Sequence, residues 1–161
     1  MALRRKLLGP RADEPVHVQE FLTPKPIEAS LELGLFYVAQ DSTELGNAEA
    51  ILRRSEDAIY VRKDFTEPQR AYLVAHELGH FVLDDEHDDV TVASLKALTG
   101  AEGTPALITI ESYGLRERQE LRANVFAREL ILPRVVARKL FESGLGPAQV
   151  ARDYGIDLEV A

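Results

Sequence analysis

The segment from Ala71 to Leu83 constrains this chain more than any other stretch. Between Tyr72 and Leu83 the only side chains that titrate near neutrality are His76, Glu77 and His80, and the residues around them are apolar or glycine. A helix with that composition buries most of its faces, and a buried polar group costs free energy unless something satisfies it. Two histidines four residues apart stack on one helical face, close enough to share a single ion. The arrangement is His-Glu-x-x-His, the spacing with which a helix offers two imidazoles to one zinc ion. The rival reading is a core helix whose histidines bond to neighbouring backbone. It would converge three polar groups on one point with no ion to hold them.

Local signals support a helix at this place. Thr66-Glu67-Pro68-Gln69 has the form of a capping box, with Thr66 as N-cap, Pro68 in the first turn and Gln69 reaching back. Gly79 stands inside the predicted helix, where glycine costs on the order of 1 kcal/mol relative to alanine. It marks either a close approach of backbone or substrate beside His80, or a tight crossing with another helix.

A catalytic zinc site needs a third protein ligand and an open position for water. Asp84 and His87 would share the His80 face if the helix continued, but both belong to the charge run from Asp84 to Asp89. The extended metzincin pattern fails, since Leu83 stands where its glycine belongs and Glu86 where its third histidine belongs. A second predicted helix, in the segment from Glu120 to Pro133, offers another source. Glu120, Asn124 and Ala127 share one stripe, whereas Leu121, Val125 and Leu132 lie elsewhere on its surface. Ala123 and Ala127 are small enough for close helix packing. Glu120 could then reach the ion, with Asn124 orienting a ligand by hydrogen bonding. Glu117, one turn earlier, is the alternative on the same helix.

Taken together, Ala75 with His76-Glu77-Leu78-Gly79-His80, followed by Glu-x-x-Ala-Asn-x-Phe-Ala-x-x-Leu-x-x-Pro from Glu120 to Pro133, resembles the ImmA/IrrE family of metallopeptidases. The resemblance runs from about Ala58 to the C-terminus and does not include the first 30 residues. It implies His76, His80 and Glu120 as metal ligands, Glu77 as general base, and zinc as the ion, with manganese also compatible with such ligands. It implies a protein substrate, often a helix-turn-helix repressor cleaved to release phage, mobile-element or stress genes. Two departures stand out: the stretch from Asp84 to Arg118 is long for the family, and Asp84 occupies a position where many members have histidine.

Composition bounds the rest. The chain has 161 residues, 45% of them hydrophobic, enough for one domain with a real core. A net charge of -8 argues against a dedicated nucleic-acid surface, local basic patches such as Arg4-Arg5-Lys6 notwithstanding. No apolar run is long enough to span a membrane, and Leu7-Leu8 is too short for a signal peptide's core. There is no cysteine, so neither disulfides nor thiolate ligands arise, as suits a cytoplasmic protein.

The expected fold is α+β: a small antiparallel sheet packed on a zincin-like helical core made of the His-Glu-x-x-His helix and a second, Glu-bearing helix. Residues 1–161 read as one domain. Residues 1–15 read as a flexible basic arm, and 16–32 as partly helical with Pro24 and Pro26 interrupting. Strands are expected at 35–39, 48–53 and 58–62, with a turn at 55–57. Residues 84–114 form an insertion between the metal-binding helices, placed to line a substrate cleft or simply to pack beside it, with a short helix at 91–98 and an apolar segment at 106–110. Tyr113, within it, is a candidate oxyanion donor. Lone His17 reads as structural or exposed. Helices follow at 135–142 and 147–153. The chain then stops within a helix–turn–helix-like hairpin, as expected of a piece of a longer protein. A second reading therefore stands beside the peptidase: a metal-bound interaction module with little or no hydrolysis. The stretch Leu115 to Glu120 resembles versions of the domain placed ahead of Rep/UvrD-like helicases. An intact Glu77 favours the enzyme, since a pure binding module needs no base.

Overall fold

The computed structural model describes residues 2–84, 90–93 and 115–161. The helix over the central motif is α3, Glu67–Leu83, with Pro68 in its first turn and the Thr66 N–H donating to Gln69 Oε1 at 3.0 Å. Everything from Ala71 to His80 on it is buried. Its apolar neighbours explain why. One side rests on a sheet built from β1 (Gly34–Val38), β2 (Ala50–Arg53), β3 (Ala58–Arg62) and β4 (Val90–Ala93), in the order β1-β3-β2-β4. Leu35, Leu52, Ile59 and Val61 turn inward from these strands, while Phe36 and Tyr60 stack on each other outside, ring centroids 5.3 Å apart.

The architecture is α+β, as the patterning implied, but the sheet is mixed. The β2–β3 and β2–β4 pairings are antiparallel, and β1–β3 is parallel, with Phe36 opposite Tyr60. The cause is the connection from residue 39 to 49. It carries the chain past the place that β3 later fills, so the β2–β3 hairpin returns β3 alongside β1 in the same direction. Residues 91–93 of the stretch expected as a helix at 91–98 belong to β4 instead. The rest of that stretch, with 99–110, lies outside the described residues.

The second long helix, α4 (Leu115–Ile131), packs on the other side of α3. It is followed by α5 (Arg134–Glu142) and α6 (Pro147–Tyr154), the latter stopped by Gly155 at φ 64°. That glycine is required by its left-handed conformation; a Cβ there would also lie 2.6 Å from the partly exposed His17 ring, which would have to swing aside. His17 itself caps a short turn, its Nδ1 accepting from the Gln19 N–H.

The N-terminal residues depart furthest from expectation. Where a flexible arm was expected, Ala2–Leu8 forms α1 and its Arg4 is 1% exposed. The guanidinium donates to Ala12 O (2.7 Å), Glu14 O (3.0 Å), Leu130 O (2.6 Å) and Ile131 O (3.2 Å), and lies over the Phe21 ring. Leu130 and Ile131 end α4, where carbonyls have no helical partner, so Arg4 satisfies them. Burial lowers its pKa to about 10 against the opposing pull of Asp13, which leaves it charged at neutral pH. The prolines also act differently from expectation. Pro24 opens α2 (Pro24–Leu31) at a position that needs no N–H, rather than interrupting a longer helix. Val16, Val18, Phe21, Leu22 and Ile27 then enter the main core.

Arg4→Met should therefore cost about 2–3 kcal/mol of stability, since it strips charge-assisted bonds from buried carbonyls. Urea denaturation measures it; a midpoint indistinguishable from the parent would mean the arginine is a bystander.

Candidate metal centre

Helix geometry brings His76 and His80 together, but only α4 completes the cluster. The two long helices meet where Gly79 faces Ala123: a Cβ added at Gly79 would lie 3.0 Å from the Ala123 Cα and 3.2 Å from its carbonyl oxygen. Of the two readings open for this glycine, the tight crossing with another helix is the one observed, and it is that helix's backbone that passes close. Glu120 lies one turn before Ala123 and so projects at the histidines. Its carboxylate oxygens stand 3.3 Å from His76 Nε2 and 3.6 Å from His80 Nε2, and the two Nε2 atoms are 3.0 Å apart. A tetrahedral ion with bonds of about 2.0–2.1 Å spaces its ligands about 3.3 Å apart. The observed edges bracket that value. His76, His80 and Glu120 could hold a metal ion.

The tautomers point the same way. Asn124 Oδ1 lies 2.8 Å from His76 Nδ1 and also accepts the Tyr72 hydroxyl at 2.8 Å. An amide oxygen only accepts, so His76 Nδ1 carries the proton and its Nε2 is a bare lone pair. Asp84 Oδ2 lies 2.5 Å from His80 Nδ1 and imposes the same tautomer there. With neutral rings, two lone pairs face each other at 3.0 Å, an arrangement that repels unless a cation or proton stands between them. Such partners on the far ring nitrogen are what metal-ligating histidines require.

Without a metal, a proton does that work. Burial pulls the His80 pKa down, but the bonds to Glu120 and Asp84 and the nearby Glu77 charge outweigh it and raise the pKa to about 9. Burial likewise pushes Glu120 up, and the two imidazoles outweigh it, bringing the carboxyl to about 2. Burial, helped by the Glu120 charge, drives Tyr72 up to about 12 against the opposing pull of Arg128, which keeps its hydroxyl protonated as a donor. His76, Glu77 and His80 are at most 2% exposed, whereas the Glu120 side chain keeps 31%. Among the described residues, access to the cluster is therefore from the Glu120 side.

The other ligand candidates separate cleanly. Asp84 is drawn toward His80, as its spacing suggested, but it binds Nδ1, on the side of the ring away from the cluster. It is a partner of a candidate ligand rather than a ligand. Glu117 is exposed and outside the cluster. His87 and Tyr113 lie outside the described residues. Asn124 stands where the helical stripe placed it. Tyr72 went unnoticed, although it sits four residues before His76 on the same face.

Comparison with known families decides the assignment. Residues 32–161 match the peptidase M78 family, described as the IrrE N-terminal-like domain. The chain belongs to this family. No curated protein matches it closely enough to count as a relative. The family is one of metallopeptidases, and the donor set at the α3–α4 crossing suits that chemistry. The match leaves out residues 1–31, although α1 and α2 pack into the same core. Among the described residues, no helix is long and apolar enough to cross a membrane.

Gly79→Ala tests the crossing. The change gains about 1 kcal/mol of helix propensity, but forcing backbone apart in a packed core costs about 1–3 kcal/mol. A net loss of stability and weaker metal uptake are expected; a higher melting temperature would show that the helices are not in limiting contact.

The protonation pattern gives a second test. His80, raised from 6.5 to about 9, stabilises the metal-free fold below pH 6.5, and this stabilisation is lost as pH rises through about 9. Glu120, lowered from 4.5 to about 2, stabilises it above pH 4.5 and loses that effect as pH falls through about 2. Metal-free protein should thus melt progressively lower from pH 6.5 to 9. Zinc competes with the His80 proton, so its stabilising increment should grow over the same interval. Thermal melts with and without chelator give both curves, and a flat metal-free curve would contradict the assignment.

Proposed function

We propose that this chain is a zinc-dependent endopeptidase that hydrolyses a peptide bond in a protein substrate. The observation that carries the reading is the convergence of His76, His80 and Glu120 at ligand-like spacing, with both imidazoles held in the ligating tautomer. Two neutral imidazoles and a carboxylate suit zinc by default, and manganese is the alternative. An ion held there supplies Lewis acidity, acidifying water and polarising a carbonyl.

The chain's own residues would do the rest. Glu77 is fully buried and about 100° around α3 from His76, so it flanks the cluster without sharing the ligand face. Its carboxylate would take a proton from the attacking water and pass it to the departing amine. Asn124 and Asp84 would keep the rings oriented throughout, with Tyr72 fixing Asn124 in turn. The partial exposure of Glu120 offers the substrate a route in. We further propose, from the resemblance to ImmA/IrrE peptidases, a helix-turn-helix repressor as the substrate, in cytoplasmic regulation of stress or mobile-element genes.

Replacing Glu77 with Gln separates metal binding from chemistry. Elemental mass spectrometry of the variant should still find one equivalent of metal, while cleavage of protein substrates, read as new termini by mass spectrometry, falls about 10²–10⁴-fold. Undiminished cleavage would remove Glu77 from the mechanism. Glu120→Ala should lose the metal itself.

A further inference from the structure

The His80–Asp84 bond is unusual in how it is built. Asp84 is the residue at which α3 ends, with extended backbone (φ −96°, ψ 154°), and its side chain is 2% exposed. A helix C-terminus commonly ends in a left-handed glycine that satisfies its last carbonyls. None is present here; the position after α3 is Asp84 itself. The carbonyls are met from another element. Arg54, on the short turn Arg54–Glu56 between β2 and β3, directs its Nη2 to His80 O at 2.6 Å, with Phe81 O and Asp84 O each at 3.3 Å. Its guanidinium carbon lies 5.6 Å from the centre of the Phe81 ring. The Asp84 N–H adds a bond to His80 O at 3.1 Å.

We propose that Arg54 is a positioning residue for the metal centre: by binding the carbonyls on either side of the α3 terminus, it fixes Asp84 where its carboxylate orients His80. The inference rests on the metal-site reading above. Arg54 reaches across from the sheet and grips both the carbonyl of the candidate ligand and that of its carboxylate partner. All three carbonyls are met by one nitrogen, Nη2, while the guanidinium lies over the Phe81 ring, a pairing of contacts that the shorter head of a lysine reproduces only in part. Its positive charge also sits at the negative end of the helix dipole. Removing it frees the turn, and Asp84 can rotate to solvent. His80 then loses the bond that holds its Nε2 toward the ion.

The test is zinc affinity, measured by competition with a chromophoric chelator, for the parent, Arg54→Met, Asp84→Asn and the double variant. Losing a partner of a metal-ligating histidine typically weakens binding by about 10–100-fold. Arg54→Met should weaken zinc binding to that extent, and the double variant should bind no more weakly than Asp84→Asn alone, because the arginine acts through the aspartate. Arg54→Lys, the milder change, should fall between parent and Arg54→Met, and it carries the test if the methionine variant does not fold. A purely structural arginine would lower the melting temperature yet leave the zinc dissociation constant unchanged, or its effect would multiply with that of Asp84→Asn. Either result overturns the proposal while a zinc-binding parent keeps the metal reading intact. A parent that takes up no zinc overturns both.

Discussion

Backbone contact between Gly79 and Ala123 is the constraint from which the rest of the centre follows. A histidine pair one turn apart is set by α3 alone. The third member belongs to a helix 40 residues away in sequence, and only the absence of a side chain at Gly79 lets that helix come near enough. Glu120 is one turn upstream of the contact and Asn124 is the residue after it, so a single close passage delivers both the carboxylate and the amide that orients His76. The helix-propensity cost of Gly79 is the local expense of a global fit.

Around that crossing the polar groups are paired in a way that explains their burial. Each imidazole gives its Nδ1 proton to an acceptor fixed by something else: Asn124 by the Tyr72 hydroxyl, Asp84 by a backbone held at the end of α3. The Nε2 atoms are then obliged to look at each other and at Glu120. A core that was merely accommodating histidines would have spread these groups apart or paired them with backbone. Instead, with neutral rings the donors are used up on the outside of the cluster and only acceptors face its centre, which is the arrangement a cation or a proton satisfies.

Which parts of this could be read from residues alone follows from distance along the chain. His76, Glu77 and His80 were readable because helix periodicity acts within a few residues. The capping box at Thr66 and the ends of α5 and α6 are local in the same sense. Glu120 could be placed on a stripe with Asn124, but spacing alone left it among several candidates until its likeness to a family entered. Gly79 had two meanings that only the position of Ala123 could separate. Arg4 was misread because a basic run near a terminus is ordinarily solvated, and its carbonyl partners lie 126 and 127 residues away. Arg54 gave no signal at all, since an arginine in a turn looks the same whether or not a helix terminus waits across the fold. The parallel β1–β3 pairing was hidden for a related reason: alternation marks a strand but not the direction of its neighbour.

The long reach of Arg4 has a consequence for how such a chain comes to be folded. Its first helix closes against the end of α4, so these contacts cannot form until residues 130 and 131 have been made. Contacts of such high sequence separation are slow to form, because loop-closure entropy is spent before they return any stabilisation. On a ribosome, the N-terminal strands and α3 emerge early, yet Arg4 must wait for its carbonyl partners until α4 follows. The histidine pair is likewise complete long before Glu120 is synthesised. Assembly of the centre therefore waits for the same helix that the N-terminal segment must find.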